Sequence, residues 1–208
     1  MKRPRGLLRV GGGVTTIALA IAGAATAVVL TNGAASAATG GTGTGYLSAQ
    51  GAHLVDATGA TVRLTGINWF GMETDNKTFH GLWASVTWKS QLDHMAQLGY
   101  NTIRVPYSDD ALKAGAVASG VNDYTNPDLV GLSPLQILDK VIEYSGSKGM
   151  RILLDRHRPT AAGQSPLWYT AAVTEATGIA HVQLLARAYA NNPTVIGVGL
   201  HHEPHAGG

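Results

Sequence analysis

Residues 133–155 read SPLQILDKVIEYSGSKGMRILLD, and the fold is decided here. Ser133 is a helix-capping residue and Pro134 suits a first turn, where a missing N–H costs nothing. Leu135, Leu138, Val141 and Ile142 then recur at helical spacing and form one apolar face. Gly146 or Gly149 ends the helix. Met150 to Asp155 follows as a short, nearly apolar run, the pattern of a strand covered on both faces. A helix feeding such a strand is the second half of a parallel crossover unit.

The same unit repeats on either side. Upstream, Trp88, Leu92, Met95 and Leu98 make a helical face with Thr87 as cap and Gly99 as stop, and Asn101 to Tyr107 is the strand that follows. Downstream, Ile179, Val182, Leu185, Ala186 and Tyr189 make a third face, with Thr177 as cap and Pro193 beyond the end. Val195 to Leu200 is the next strand, and Val62 to Trp69 is the first of the series. Four strands alternating with three helices imply parallel pairing through right-handed crossovers. Two α/β architectures satisfy that order: a doubly wound sheet, or the first four strands of a (β/α)8 TIM barrel. No strand is followed by a phosphate-binding glycine signature, which favours the barrel. Leu47 to Leu54 and Thr61 to Leu64 flank the turn-forming Asp56-Ala57-Thr58-Gly59, so a short β-hairpin is expected ahead of it.

The N-terminus has a different character. Lys2, Arg3, Arg5 and Arg9 precede an Ala-rich apolar stretch from Val14 to Leu30, and Ala35-Ser36-Ala37 is a small-residue cleavage site. That order reads as a signal peptide over residues 1–37 and a secreted, extracellular product with no membrane association after cleavage. Residues 38–45 are Gly/Thr-rich and read as a flexible lead-in; the globular part then runs from 46 to 208. Of 15 basic residues four lie in the leader, whereas all 13 acidic residues follow it, so nothing basic remains to attract nucleic acid. There is no cysteine, hence no disulfide framework or thiolate metal site.

Polar and aromatic residues collect at the end of every strand. They are Gly66-Ile67-Asn68-Trp69-Phe70-Gly71, Ile103-Arg104-Val105-Pro106-Tyr107-Ser108, Leu154-Asp155-Arg156-His157-Arg158-Pro159 and Leu200-His201-His202-Glu203-Pro204-His205. In a parallel barrel these ends share one face, where such enzymes hold their sites. In order and spacing the four motifs resemble glycoside hydrolase family 5, above all its actinomycete-type endoglucanases. The resemblance implies a (β/α)8 barrel that hydrolyses β-1,4-glucan with retention. It implies Glu203 as the acid/base, Arg104 as the arginine supporting the nucleophile, and His157 as a residue lining the cleft. Trp69 and Trp168 are candidate sugar-stacking platforms, with core packing the competing role. No cofactor or metal is implied, and β-glucan is the expected partner.

Two departures stand out. The family asparagine before the acid/base is replaced by His202, which takes over that substrate-binding position and can titrate near neutral pH. Gly199 stands where relatives often carry an acidic residue. Retention needs two carboxylates about 5 Å apart, and the family nucleophile belongs to a seventh strand not found in these 208 residues. The chain alone is therefore expected to be inactive, and its open sheet edges to favour self-association. Three alternatives remain: a non-catalytic glycan-binding or inert fragment, a mannanase of the same family, and a metal site from His201, His202, Glu203 and His205, against which Pro204 breaks the helical spacing.

Overall fold

Three short strands form an antiparallel meander: β1 (Ser48–Gln50), β2 (His53–Val55) and β3 (Thr61–Val62). They belong to a computed structural model that describes residues 42–205; the expected leader lies outside those residues. One hairpin was expected and two are present, because Gly51 turns the chain inside the Leu47 to Leu54 run. Asp56 organises the second turn. Its carboxylate accepts the N–H groups of Thr44, Thr58 and Ala60 and the Thr58 hydroxyl. Those donors, the Thr44 N–H foremost, hold its pKa down at about 2.

The expected first strand, Val62 to Trp69, is divided. Its start pairs in the meander, and only Gly66–Asn68 (β4) joins the parallel sheet. Asn101 stitches the joint: its side chain accepts from the Thr65 N–H and donates to the Arg63 carbonyl. Thr42 to Thr44, expected within the flexible lead-in, are tied down. Thr42 N–H donates to the Gly149 carbonyl at 3.1 Å, and the Arg151 guanidinium reaches the Thr42 and Gly43 carbonyls at 3.1 and 3.0 Å as well as that of Pro193.

The main sheet is parallel, in the order β4, β5 (Thr102–Ser108), β6 (Arg151–Arg158), β7 (Val195–Gly199). Helix α1 (Trp88–Gln97) follows β4, α3 (Pro134–Ser147) follows β5 and α4 (Glu175–Tyr189) follows β6. The expected alternation is therefore present. A four-residue helix, α2 (Asp109–Leu112), and a 3-10 turn at Pro127–Leu129 add to it.

Caps explain the helix bounds. Thr87 accepts from Ser90 N–H to open α1. Ser133 and Gln136 form a reciprocal capping box at α3. Gly149, at φ 71°, ends that helix, while Gly146 lies inside it. At α4 the cap is Thr174 rather than Thr177, whose N–H it receives at 3.3 Å.

Alternation along the strands sorts the side chains. Ile103, Val105, Tyr107, Ile152 and Leu154 pack beneath the helices against Leu92, Ile137, Leu138, Val141, Ile142 and Leu185, all buried. Each such aliphatic side chain contributes roughly 1.5–3 kcal/mol by leaving water. Arg104, Asp155 and His157 take the opposite face. Helix α4 is the least covered: Ile179, expected on its buried face, is 49% exposed.

Candidate active site

Strand β6 runs three residues beyond the expected Asp155, because its pairing with β5 continues past a register shift to Ser108 and Arg158. The DRHR segment is thus extended backbone whose side chains point alternately to the two faces.

On the helix side lies Arg156, fully buried. Its Nη2 and Nε donate to Asp109 at 2.5 and 3.2 Å, and Nη1 donates to the Trp168 carbonyl at 2.7 Å. His181 Nδ1 of α4 meets Asp109 Oδ1, the oxygen that also accepts from Arg156 Nε, at 2.8 Å. Gly178 makes room: a Cβ there would lie 3.0 Å from the guanidinium. This cluster locks α2, β6 and α4 together behind the site.

On the open side Asp155 accepts from Arg104 Nη2 at 2.6 Å and pairs with His157 Nδ1 at 2.8 Å. Arg104 also donates to Asn68 Oδ1 at 3.3 Å, and its Nη2 lies 3.1 Å from His202 Nδ1. The His157 and His202 rings stack, with centroids 4.0 Å apart and an interplanar angle of 18°. His202 Nε2 faces Glu203 Oε1 at 3.5 Å. Glu203 itself is largely exposed and has φ 47°, in the left-handed region that a branched or long side chain rarely enters.

The structure therefore joins four of the expected site residues, Arg104, His157, His202 and Glu203, around one that was not singled out, Asp155. Arg104 finds its carboxylate partner in Asp155. The signal was present: Asp155 and His157 stand two apart on a strand, hence on one face. Gly199 also gains a physical account. It pairs with Asp155 in register, and a Cβ there would lie 3.2 Å from Asp155 Oδ1. An acidic side chain at 199 would meet that carboxylate.

The two tryptophans are elsewhere. Trp69 is buried, tilted at 44° against Phe79 with its indole N–H donating to the His80 carbonyl at 2.9 Å, so its ring belongs to the core. Trp168 lies on the helix side of β6, lining with Ile179, Val182 and Leu200 a hollow of about 450 Å³ against α4. Neither ring faces the Arg104–Asp155 cluster. Among the exposed rings are Phe70 at 44% and Trp83 at 49%; His80 stacks on Phe70 at 4.2 Å and meets Trp83 edge-on at 4.3 Å. Gly71 shapes this loop at φ 128°, where any Cβ would collide with the Thr78 carbonyl. Trp69 and Phe70 are adjacent and point opposite ways; composition gives no hint of which one faces inward.

The four residues considered for a metal do not converge. His201 Nε2 is bonded to the Ser165 carbonyl at 2.9 Å, with its pKa pushed down by burial, and His205 turns back to the Glu203 carbonyl. Among the described residues one other group, Asp155, His157 and His202, has donor atoms within 4.8 Å of one another. A metal needs in-plane nitrogen lone pairs aimed at one point about 2 Å away. Stacked rings aim theirs in parallel, and Arg104 already occupies the carboxylate oxygen. The group is a hydrogen-bonded stack, not a coordination sphere.

Residues 55–208 match the family model described as cellulase, glycosyl hydrolase family 5. An endoglucanase of Paenibacillus polymyxa is 48% identical over 161 residues, 77% of this chain and 40% of that protein. The major extracellular endoglucanase of Xanthomonas campestris pv. campestris is 44% identical over 152 residues, 73% of this chain and 31% of its own. Its catalytic domain superposes with a TM-score of 0.73 at 42% identity, covering 77% of this chain and 46% of that domain. A cellotetraose complex of an endocellulase from Pyrococcus horikoshii superposes with a TM-score of 0.72 at 36% identity, covering 77% and 44%. The chain thus spans less than half the length of these relatives. Among the described residues no helix is long and apolar enough to cross a membrane.

Proposed function

The chain belongs to the cellulase family, glycosyl hydrolase family 5, and from that premise we propose that it supplies the acid/base half of a secreted, retaining endo-β-1,4-glucanase. The observation that carries this reading is the cluster at the C-terminal ends of the parallel strands. There Glu203 stands exposed beside His202, and His202 is braced by Arg104, Asp155 and His157. A carboxylic acid in that position protonates the departing glycosidic oxygen, then takes a proton from the water that completes hydrolysis.

Retention requires a second carboxylate about 5 Å from the first. Asp155 shares the neighbourhood but is committed to Arg104 and His157. The nucleophile is accordingly assigned to a strand beyond the four described, and the 208-residue chain by itself is expected to release no reducing ends. Phe70 and Trp83, two exposed rings flanking His80, take the sugar-stacking role first given to Trp69 and Trp168. Secretion rests on the leader pattern and on a relative named as extracellular.

The test is a chimera in which residues 42–205 replace the corresponding segment of the Paenibacillus enzyme. It should release reducing ends from carboxymethylcellulose, and Glu203→Gln should lower that rate by about 10²–10⁴-fold. Undiminished release by the Gln variant would remove Glu203 from the mechanism. Release by the 208-residue chain alone would remove the need for a nucleophile from elsewhere.

A further inference from the structure

We infer that His202 is a positioning residue that works only as the neutral ring protonated at Nε2, and that a second proton on it disconnects Arg104 from the acid/base. The inference rests on the assignment of Glu203 above.

A guanidinium has hydrogens to give and no lone pair to offer. Arg104 Nη2 carries two hydrogens: one goes to Asp155 Oδ2 at 2.6 Å, and the other points at His202 Nδ1, 3.1 Å away. That nitrogen must accept, so the ring proton sits on Nε2, which faces Glu203 Oε1 at 3.5 Å. His202 thus stands between the arginine on β5 and the carboxylate on the β7 loop. His157, stacked against it, differs in carrying a proton on Nδ1, because that nitrogen faces a carboxylate oxygen and must donate.

The charged and titratable groups facing His202 are Arg104 from β5, Asp155 and His157 from β6, and Glu203 beside it. The two carboxylates favour a second proton; Arg104 opposes it. When that proton arrives on Nδ1, two N–H groups and two positive charges confront each other across 3.1 Å. The contact must open. An amide at 202 would not behave this way, since its oxygen accepts and its nitrogen donates at any pH. Replacement of the family asparagine by histidine therefore adds proton-dependent control over the orientation of Glu203.

Imidazole nitrogen–proton correlation spectra of the isotopically labelled 208-residue chain, taken from pH 8 to pH 5, test this. At pH 8 His202 should show an unprotonated Nδ1 and a protonated Nε2. On acidification the Arg104 guanidinium signals and the Glu203 carboxyl carbon should inflect at the His202 midpoint. In His202→Asn those inflections should vanish while the His157 titration persists. An Nδ1-protonated tautomer at pH 8, or Arg104 signals that stay flat through the His202 titration, would overturn the inference. The tautomer in the unsubstituted chain decides the matter if the variant does not fold. Neither result bears on whether Glu203 is the acid/base, which the chimera decides separately.

Discussion

Replacing Arg156 by Met removes a fully buried guanidinium of similar length from behind the site. Three donated bonds disappear, two to Asp109 and one to the Trp168 carbonyl. Asp109, also fully buried, is left with His181 alone. Breaking a buried pair by removing one partner costs about 3–5 kcal/mol, because the orphaned charge stays desolvated. Against a total stability of about 5–15 kcal/mol this is a large fraction. With a urea slope near 2 kcal/mol/M, the unfolding midpoint should fall by roughly 2 M. Tryptophan fluorescence in a urea series at pH 7 measures it. The control is Arg156→Met combined with Asp109→Asn, which removes both charges and keeps an acceptor for His181. The double variant should be more stable than the single one. A loss below about 1 kcal/mol for Arg156→Met, or a double variant weaker than the single, would refute the account of a pair held together by burial.

Other outcomes follow from the same structure. Asp56 titrates at about 2 in the fold against an ordinary 3.8, so its bonds stabilise the protein fully above that ordinary value. The stabilisation should vanish as the pH falls from about 4 to 2, and melting curves of Asp56→Asn should lack that dependence. Gly178→Ala sets two effects against each other. Helix propensity favours alanine by about 1 kcal/mol, but the new Cβ lies 3.0 Å from the immobile Arg156. Overpacking costs about 1–3 kcal/mol, so a net loss in urea is expected. Trp69→Ala should cost about 3–5 kcal/mol, whereas Trp83→Ala should change stability by less than about 0.5 kcal/mol and weaken cello-oligosaccharide affinity of the chimera in calorimetry.

The alternation of strands and helices was legible because each helix announces itself by cap and periodicity. Thr87 and Ser133 cap as read. Thr174 was passed over for Thr177 because both hydroxyls precede the same apolar face, and only three-dimensional geometry tells them apart. The division of Val62 to Trp69 was not legible, since a run of β-formers does not say which neighbour each part will pair with. In the site, the family resemblance of the strand-end motifs pointed to Arg104, His157, His202 and Glu203, and the structure brings these four together. The direction of a side chain was harder to read. Trp69 and Trp168 have the chemistry of sugar platforms, but the tertiary fold turns both away. Asp155 looked like the last residue of a strand and is the centre of the network.

Glu203 is held at φ 47°, a conformation that costs a long side chain about 1–2 kcal/mol and glycine almost nothing. Folding therefore disfavours glutamate at this position, and the acid/base role proposed above would be what retains it against that cost. Where the proposed hydrolysis is no longer under selection, drift should carry position 203 toward glycine or asparagine sooner than it erodes Arg156 or Asp109. The identity of residue 203 across natural isolates would then record which lineages still depend on the proposed activity.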